Sequence, residues 1–286
     1  MDSVHSFVLE DLDIRGALVQ LGPTWAAVTR RRNYAAPVQE LLGELAAVTA
    51  LIGSNLKTPG RLSFQLQGHG PVSMLVMDCN EQLHLRGMAR SELTADAAIN
   101  IAGIGDLLGD GRLVLTLHPD TAETPYQSVV PIVGSTLAAI FEHYLEQSEQ
   151  QPARLWLAAT ADTACGLFLQ KLPDADVRDP DGWNRIEKLA ATVRPGELAL
   201  PPEALLTRLF GEESVRLFEP RQAFWHCPRD EEKVRNMLLS LGREEVEAIL
   251  EDAEIIAIED EICGHEYRFG PEIVDELFPP DGRLLH

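Results

Sequence analysis

Hydrophobic positions recur with a period of two in some segments of the chain and of three to four in others, which predicts both strands and helices. Leu62, Phe64 and Leu66 alternate with polar neighbours, as in a half-buried strand. From Val38 to Ile52 the apolar residues form one helical stripe, which predicts a long core helix beginning at Pro37. Further strands are predicted at 6–9, 14–21, 72–77, 82–86, 113–117, 126–130, 155–159 and 165–170, and a second amphipathic helix at 136–150.

The pattern changes after residue 173. Asp174 to Pro180 is polar, charged and bounded by prolines, which indicates the edge of a domain. Short helices are predicted at 183–193 and 205–210, and two more at 230–241 and 244–250. We therefore predict an α+β fold with three parts. They are an N-terminal mixed sheet-and-helix core domain (1–178), a helical linker (179–222) and a small C-terminal module of zinc-switch type (223–286).

Composition narrows the class of protein. The chain has 286 residues, 45% of them hydrophobic, as expected for a globular protein. Its net charge is −21, of which −12 lies in residues 201–286, and this charge argues against binding to nucleic acid or to anionic membranes. We find no signal sequence and no run of ~18 apolar residues. With four scattered cysteines, these features predict a cytoplasmic protein in a reducing compartment.

The sequence contains no catalytic constellation that we can place. The glycines between Gly103 and Gly111 suggest a phosphate loop, but the Gly-Lys-Ser/Thr ending is missing, so we expect turns there. No Ser/His/Asp triad or carboxylate pair emerges, and we expect the protein not to be an enzyme.

Two cysteines near the C-terminus suggest a different chemistry. Cys227 stands in Cys-x-Arg with Arg229, and Cys263 stands in Asp-x-x-Cys with Asp260. A structural zinc site needs about four thiolate or imidazole ligands, usually supplied as two close pairs. Each pair here has lost one member, so two sulfurs remain.

This stretch resembles the C-terminal switch domain of the redox-regulated holdase chaperones, the thirty-three-kilodalton heat-shock protein family. That family carries Cys-x-Cys, a helical segment, then Cys-x-x-Cys and an aromatic pair. Val234 and the run 238–242 align Cys227 and Arg229 with the first pair, and Tyr267 and Phe269 align Asp260 and Cys263 with the second. The resemblance extends over most of the chain, including 107–113 and the polar helix end 147–150.

The resemblance implies an ATP-independent holdase that binds unfolding proteins on apolar surfaces of the N-terminal domain and the linker, and that dimerises on activation. In the family, zinc keeps the C-terminal domain folded over that surface, and two disulfides release it on oxidation. Arg229 and Asp260 stand where this chain departs from the pattern. We therefore expect the redox switch to be lost or weakened.

Three interpretations of Cys227 and Cys263 stay open. They are inert thiols, or they form one long-range disulfide closing a loop of roughly 35 residues, which would stabilise the module by about 3–4 kcal/mol. In the third, they hold residual zinc with help from His226, His265 or Asp260. We expect no bound zinc. If zinc were bound, Cys227 and Cys263 would be its ligands. Two other classes of function compete: a thiol-dependent redox enzyme, and an acidic scaffold protein without chaperone activity.

Overall fold

The computed structural model describes residues 2–56, 58–95, 103–122 and 124–279. The predictions made from the sequence are compared with the structure only at these residues. The chain divides into two compact units, residues 1–226 and residues 227–286. Both helices and strands are present, which confirms the α+β fold class.

The first unit contains most of the secondary structure. Its elements are β1 (Ser3–Leu9), β2 (Ile14–Leu21), α1 (Pro23–Thr29), α2 (Ala36–Gly53), β3 (Gly60–Gly68), β4 (Val72–Asn80), β5 (His84–Ser91), α3 (Ile104–Leu108), β6 (Gly111–Pro119), β7 (Tyr126–Pro131), α4 (Leu137–Glu149), β8 (Ala153–Ala159), β9 (Ala164–Lys171), α5 (Ala175–Arg178), α6 (Gly182–Ala190), a 3-10 helix (Pro195–Ala199), α7 (Pro202–Phe210), β10 (Val215–Leu217), β11 (Arg221–Gln222) and β12 (Phe224–Trp225).

These strands form two sheets. In the first sheet β1, β2, β9 and β8 are neighbours in that order, and β10 and β11 both pair with the free side of β1. The second sheet has the order β12-β5-β4-β3-β6-β7. Its strands are antiparallel except for β12, which pairs parallel to β5.

The main hydrophobic core contains one face of each sheet together with α2 and α4. The apolar stripe that predicted α2 is buried, and Phe64 of β3 meets Phe141 of α4 edge-to-face at 4.7 Å between ring centroids. By length and hydropathy α2 could cross a membrane, but 67% of it is buried inside the protein, as expected of a core helix.

The opposite face of the first sheet carries a second core. Residues 182–210, comprising α6, the 3-10 helix and α7, lie across this face, and we call them the covering segment. The shared core contains Phe7, Leu9, Leu12, Ile14, Leu18, Cys165, Leu167 and Leu169 of the body, with Ile186, Ala190, Leu198, Leu205, Leu206, Leu209 and Phe210 of the covering segment. Residues 179–210 thus belong to the first unit.

Polar groups also hold the covering segment. Gln20 of β2 donates to the carbonyl oxygens of Leu198 and Leu200 at 2.8 and 2.6 Å. Arg185 of α6 forms ion pairs with Asp179 at 3.0 Å and Glu213 at 2.8 Å. Gly16 of β2 lacks the Cβ that would collide with the ring of Phe7, so this ring can lie directly over the backbone of β2.

Two local predictions were wrong. The Gly103–Gly111 stretch contains a short helix, α3, because its apolar residues Ile104, Leu107 and Leu108 are buried. The strand predicted at 82–86 begins at His84 instead, because Asn80 accepts hydrogen bonds from the backbone N–H groups of Gln82 and His84 and closes a turn.

The second unit is a small module with its own core. It contains α8 (Glu231–Leu241), α9 (Arg243–Ala253), the hairpin β13 (Ile256–Asp260) and β14 (His265–Phe269), and α10 (Glu272–Leu277). Its buried residues are Leu238, Val246, Ile256, Tyr267, Phe269, Ile273 and Val274. Asp230 caps α8 by accepting a hydrogen bond from the N–H of Lys233, and acidic residues follow in the first turn, where the helix dipole favours them.

Candidate functional site

Cys227 and Cys263 lie together in the second unit, although 36 residues separate them. Cys227 is buried just before α8, and Cys263 lies in the turn that joins β13 to β14. Their Cα atoms are 6.0 Å apart, a spacing that suits a disulfide, and the structure joins their sulfurs in one. This Cα spacing is compatible with the long-range disulfide among the three interpretations of the pair.

The hairpin turn explains the position of Cys263. Gly264 follows it with φ of +65°, a left-handed conformation that glycine adopts without a steric penalty. Its N–H donates to the carbonyl oxygen of Asp260 at 2.6 Å, which closes the turn. The register then pairs Asp260 with His265, so Cys263 lies at the tip.

Asp260, which the family resemblance aligns with a cysteine, has a role in this turn. Its Oδ1 atom accepts hydrogen bonds from the N–H groups of Ile262 at 2.9 Å and Cys263 at 3.3 Å. Short Asp side chains commonly close turns in this way.

Arg229, at the other such position, joins the segment before α8 to β14. It donates a short hydrogen bond to the carbonyl oxygen of Glu266, and its guanidinium lies 5.1 Å from the ring centroid of Tyr267. The hydroxyl of Tyr267 accepts a hydrogen bond from the N–H of Asp230 at 2.9 Å. These contacts connect the segment before α8 to the hairpin.

His265 adds a further connection that the sequence did not reveal. Its Nε2 atom lies 2.7 Å from the carbonyl oxygen of Cys227. A carbonyl only accepts hydrogen bonds, so Nε2 carries the proton, and Nδ1 of the neutral ring is left as an acceptor. The signal was weak, because a histidine two residues beyond a cysteine is common in sequences without any site.

Among the described residues, Cys227, Cys263 and His265 form a group whose possible ligand atoms all lie within 4.8 Å of one another. This set is one donor short of the four that structural zinc sites use. His226 belongs to the first unit and lies against His84, with 4.5 Å between ring centroids.

The other two cysteines are buried strand residues. Burial raises the pKa of the Cys79 thiol to about 12, and burial likewise raises the pKa of the Cys165 thiol. Because the thiolate is the reactive form of cysteine, both groups are in their unreactive form near neutral pH.

Comparisons with known proteins point to one family. The family model described as Hsp33 protein matches residues 2–270. A 33 kDa chaperonin of Methylobacillus flagellatus is 38% identical, with 97% of this chain and 94% of that protein covered. The 33 kDa chaperonin of Nitrosococcus oceani is 40% identical over the same shares.

A solved structure of similar fold is that of the 33 kDa chaperonin of Thermotoga maritima. It matches with a TM-score of 0.82 and 21% identity, covering 97% of this chain and 98% of that one. Because the family model spans nearly the whole chain and the relatives match along almost their entire length, the chain belongs to the Hsp33 family of redox-regulated chaperones.

Proposed function

We propose that this protein is an ATP-independent holdase that binds unfolding or oxidatively damaged polypeptides and prevents their aggregation, with the thiol and zinc switch of the family lost or weakened. The proposal keeps the three predicted parts, 1–178, 179–222 and 223–286. The supporting observation for the holdase is the second core, in which an apolar sheet face lies under a segment of short helices.

The covering segment would govern access to that face. Its three helical elements have nine, five and nine residues and are separated by prolines, so little of their stability is intrinsic and most comes from packing. Local opening of such a segment needs less free energy than global unfolding. Heat would therefore expose the face while the main core stays folded, and unfolding clients would bind there.

The cysteine pair supports the altered switch. In the presence of hydrogen peroxide, the two thiols would give one disulfide and two water molecules. Closing this loop stabilises the folded module by about 4 kcal/mol in the chain-entropy model. Oxidation would then hold the module together instead of unfolding it, which is the reverse of the response implied by four family cysteines.

We infer that the module binds no zinc when reduced. Three donors remain, and the positions of Arg229 and Asp260 are engaged in hydrogen bonds within the module. The packed core around Leu238 and Phe269 supplies stability that a metal would otherwise provide. Were zinc held, Cys227 and Cys263 would be its ligands.

The remaining expectations concern partners and location. We propose unfolded polypeptides as clients, dimerisation on activation, a cytoplasmic location, and no binding to nucleic acid or membranes. The net charge of −21 supports these exclusions. The buried thiols of Cys79 and Cys165 argue against the competing thiol-dependent enzyme.

Light scattering from a thermally unfolding enzyme, without ATP, tests the holdase. We expect stoichiometric amounts of the protein to suppress scattering after mild heating, with or without reductant. Peroxide at a non-denaturing temperature should leave the activity low. Activation by peroxide in the wild type but not in the Cys227→Ser, Cys263→Ser double variant would show an intact switch. Failure to suppress scattering under any condition would favour the acidic scaffold.

A further inference from the structure

The second sheet ends in a strand with one open side. Within the described residues, β7 pairs only with β6. An edge strand presents unpaired backbone N–H and C=O groups, and natural proteins usually protect such edges with charged side chains or cover them. The open side of β7 therefore offers hydrogen bonds to another extended chain.

This edge lacks the usual charges. No Asp, Glu, Lys or Arg occurs between Glu123 and Glu142, although 24% of the chain is charged. Apolar side chains are exposed instead: Tyr126 is 62% exposed, Val129 56% and Val133 51%. An uncharged, exposed edge strand is usually an aggregation hazard, so its presence here favours a role in binding.

An apolar cleft opens beside the same strand. Tyr126 pairs with Leu117 in the sheet register, and both residues form part of the cleft wall. The cleft has a volume of about 350 Å³, within the ~300–1,000 Å³ usual for ligand sites. Its wall consists of Leu51, Ile52, Leu56, Leu62, Leu115, Leu117, Tyr126, Tyr144, Leu145 and Phe168, with Arg15, Asn55 and Thr58 as its polar members.

We propose that the β7 edge and this cleft form a docking site for an uncharged, extended segment of an unfolding polypeptide. The backbone of the segment pairs with β7, and one of its large apolar side chains enters the cleft. Pairing with a sheet edge, with pockets for alternate side chains, is a recurring mode of peptide recognition. The inference rests on the proposed holdase function and names one class of segment that it captures.

The electrostatics select this occupant. The rest of the chain is strongly acidic, so it repels acidic segments, whereas the edge carries no charge of its own. An uncharged segment has no ionic group that must lose hydration on docking. Its backbone forms hydrogen bonds with the unpaired N–H and C=O groups of the edge. A small apolar ligand would fill the cleft but leave the edge unpaired.

The test uses the full-length reduced protein and a fluorescein-labelled decapeptide of alternating valine and threonine with one central phenylalanine. Fluorescence anisotropy measures its affinity. We expect Val129→Lys and Tyr126→Glu each to weaken binding about tenfold, the range of a well-placed interface residue. Val177→Lys is the matched control, because Val177 is 84% exposed on α5, and its affinity should equal that of the wild type.

A second measurement does not depend on disruptive variants. A photo-crosslinking benzophenone side chain at position 126, an exposed aromatic position, should capture the peptide, whereas the same group at position 177 should not. A second decapeptide, with aspartate in place of the phenylalanine, should compete poorly with the first, both for binding in the anisotropy measurement and for crosslinking.

The outcomes separate the two proposals. If the wild type suppresses aggregation but both edge variants bind the decapeptide as tightly as the wild type does, the docking site is wrong and the holdase stands. If the wild type neither suppresses aggregation nor binds the peptide, the holdase itself fails. If sedimentation shows a dimer that Val129→Lys dissociates, a second copy occupies the edge and the docking proposal is overturned.

Discussion

Phe210, the last residue of α7, packs against Phe7 of β1, with 6.2 Å between their ring centroids. Both side chains are fully buried, so the contact anchors the end of the covering segment to the sheet face beneath it. Aromatic pairs of this kind contribute beyond the area that they bury.

Truncating this anchor should loosen the covering segment. Phe210→Ala removes a buried ring, which costs about 3–5 kcal/mol in packed cores. We expect holdase activity at a lower temperature than in the wild type, together with faster proteolysis between residues 182 and 210. Limited proteolysis and light scattering measure the two effects. Val177→Ala, at an exposed position, is the control; equal activation temperatures for Phe210→Ala and the wild type would show that the segment does not limit access.

The disulfide should stabilise the module rather than release it. We expect oxidised wild-type protein to gain about 4 kcal/mol in unfolding free energy of the C-terminal module relative to reduced protein. The Cys227→Ser, Cys263→Ser double variant should show no such difference. Hydrogen exchange at the backbone amides of the buried residues Leu238 and Val246 of the module, measured in denaturant with and without reductant, gives this difference. A module that melts on oxidation would contradict the expectation.

Cysteines at the two positions that the resemblance aligns with family ligands should create a zinc site. Arg229→Cys with Asp260→Cys provides four cysteines at the family positions, and structural zinc binds such sets with about 10–16 kcal/mol of apparent free energy. We expect one zinc ion per chain in the reduced double variant and none in the wild type, as measured by elemental analysis. The variant should also gain activation by peroxide. Arg235→Cys with Asp252→Cys, at other positions of the module, controls for added thiols.

His5 makes the covered face sensitive to acid. It is buried on β1, its Nε2 lies 2.9 Å from the Ser3 hydroxyl, and its Nδ1 has no partner among the described residues. Burial lowers the pKa of this imidazole, an effect that the nearby Glu203 of α7 opposes.

Because folding disfavours the protonated form of His5, the unfolding free energy falls as the pH drops through the ordinary histidine pKa of about 6.5. We expect activation at a lower temperature at pH 5.5 than at pH 7.5, and a smaller difference in His5→Leu. Scattering assays at the two pH values check this. The same pH dependence in both proteins would assign it to other groups.

Glu44 should have the opposite dependence. Burial on α2, with a smaller contribution from Glu40, raises the pKa of this carboxyl to about 7. Since folding disfavours the charged form, the unfolding free energy declines as the pH rises from about 4.5 toward 7. Glu44→Gln should therefore be more stable than the wild type at pH 8, by a few kcal/mol at about 1.4 kcal/mol per pKa unit. Denaturant unfolding measures it, and an equal gain from Glu40→Gln would point to general charge reduction.

Local periodicity was enough to place the long elements. The stripe from Val38 to Ile52 gave α2, and alternation at Leu62, Phe64 and Leu66 gave β3, because both depend on neighbours along the chain. Pairings between distant segments were not accessible in this way. The pairing of β10 and β11 with β1, and of β12 with β5, depends on contacts across more than 100 residues.

The candidate site shows the same division. Cysteine spacing and family resemblance identified Cys227 and Cys263, which the structure brings together. Neither could predict that Asp260 closes the hairpin turn or that Arg229 lies over Tyr267, because these roles depend on the folded hairpin. The sequence indicated His265 only as a possible metal ligand. Its hydrogen bond to the backbone carbonyl of Cys227 is visible only in the structure.

The position of α2 has a consequence for repeated use of the protein. This helix packs between the two sheets and belongs to the core that they share, whereas the covering segment belongs to the other core. Lifting the covering segment therefore leaves the framework of the body intact. After a heat pulse, cooling should therefore let the segment repack on the same face. The same molecules would then release their bound clients and could bind others without new synthesis of the protein.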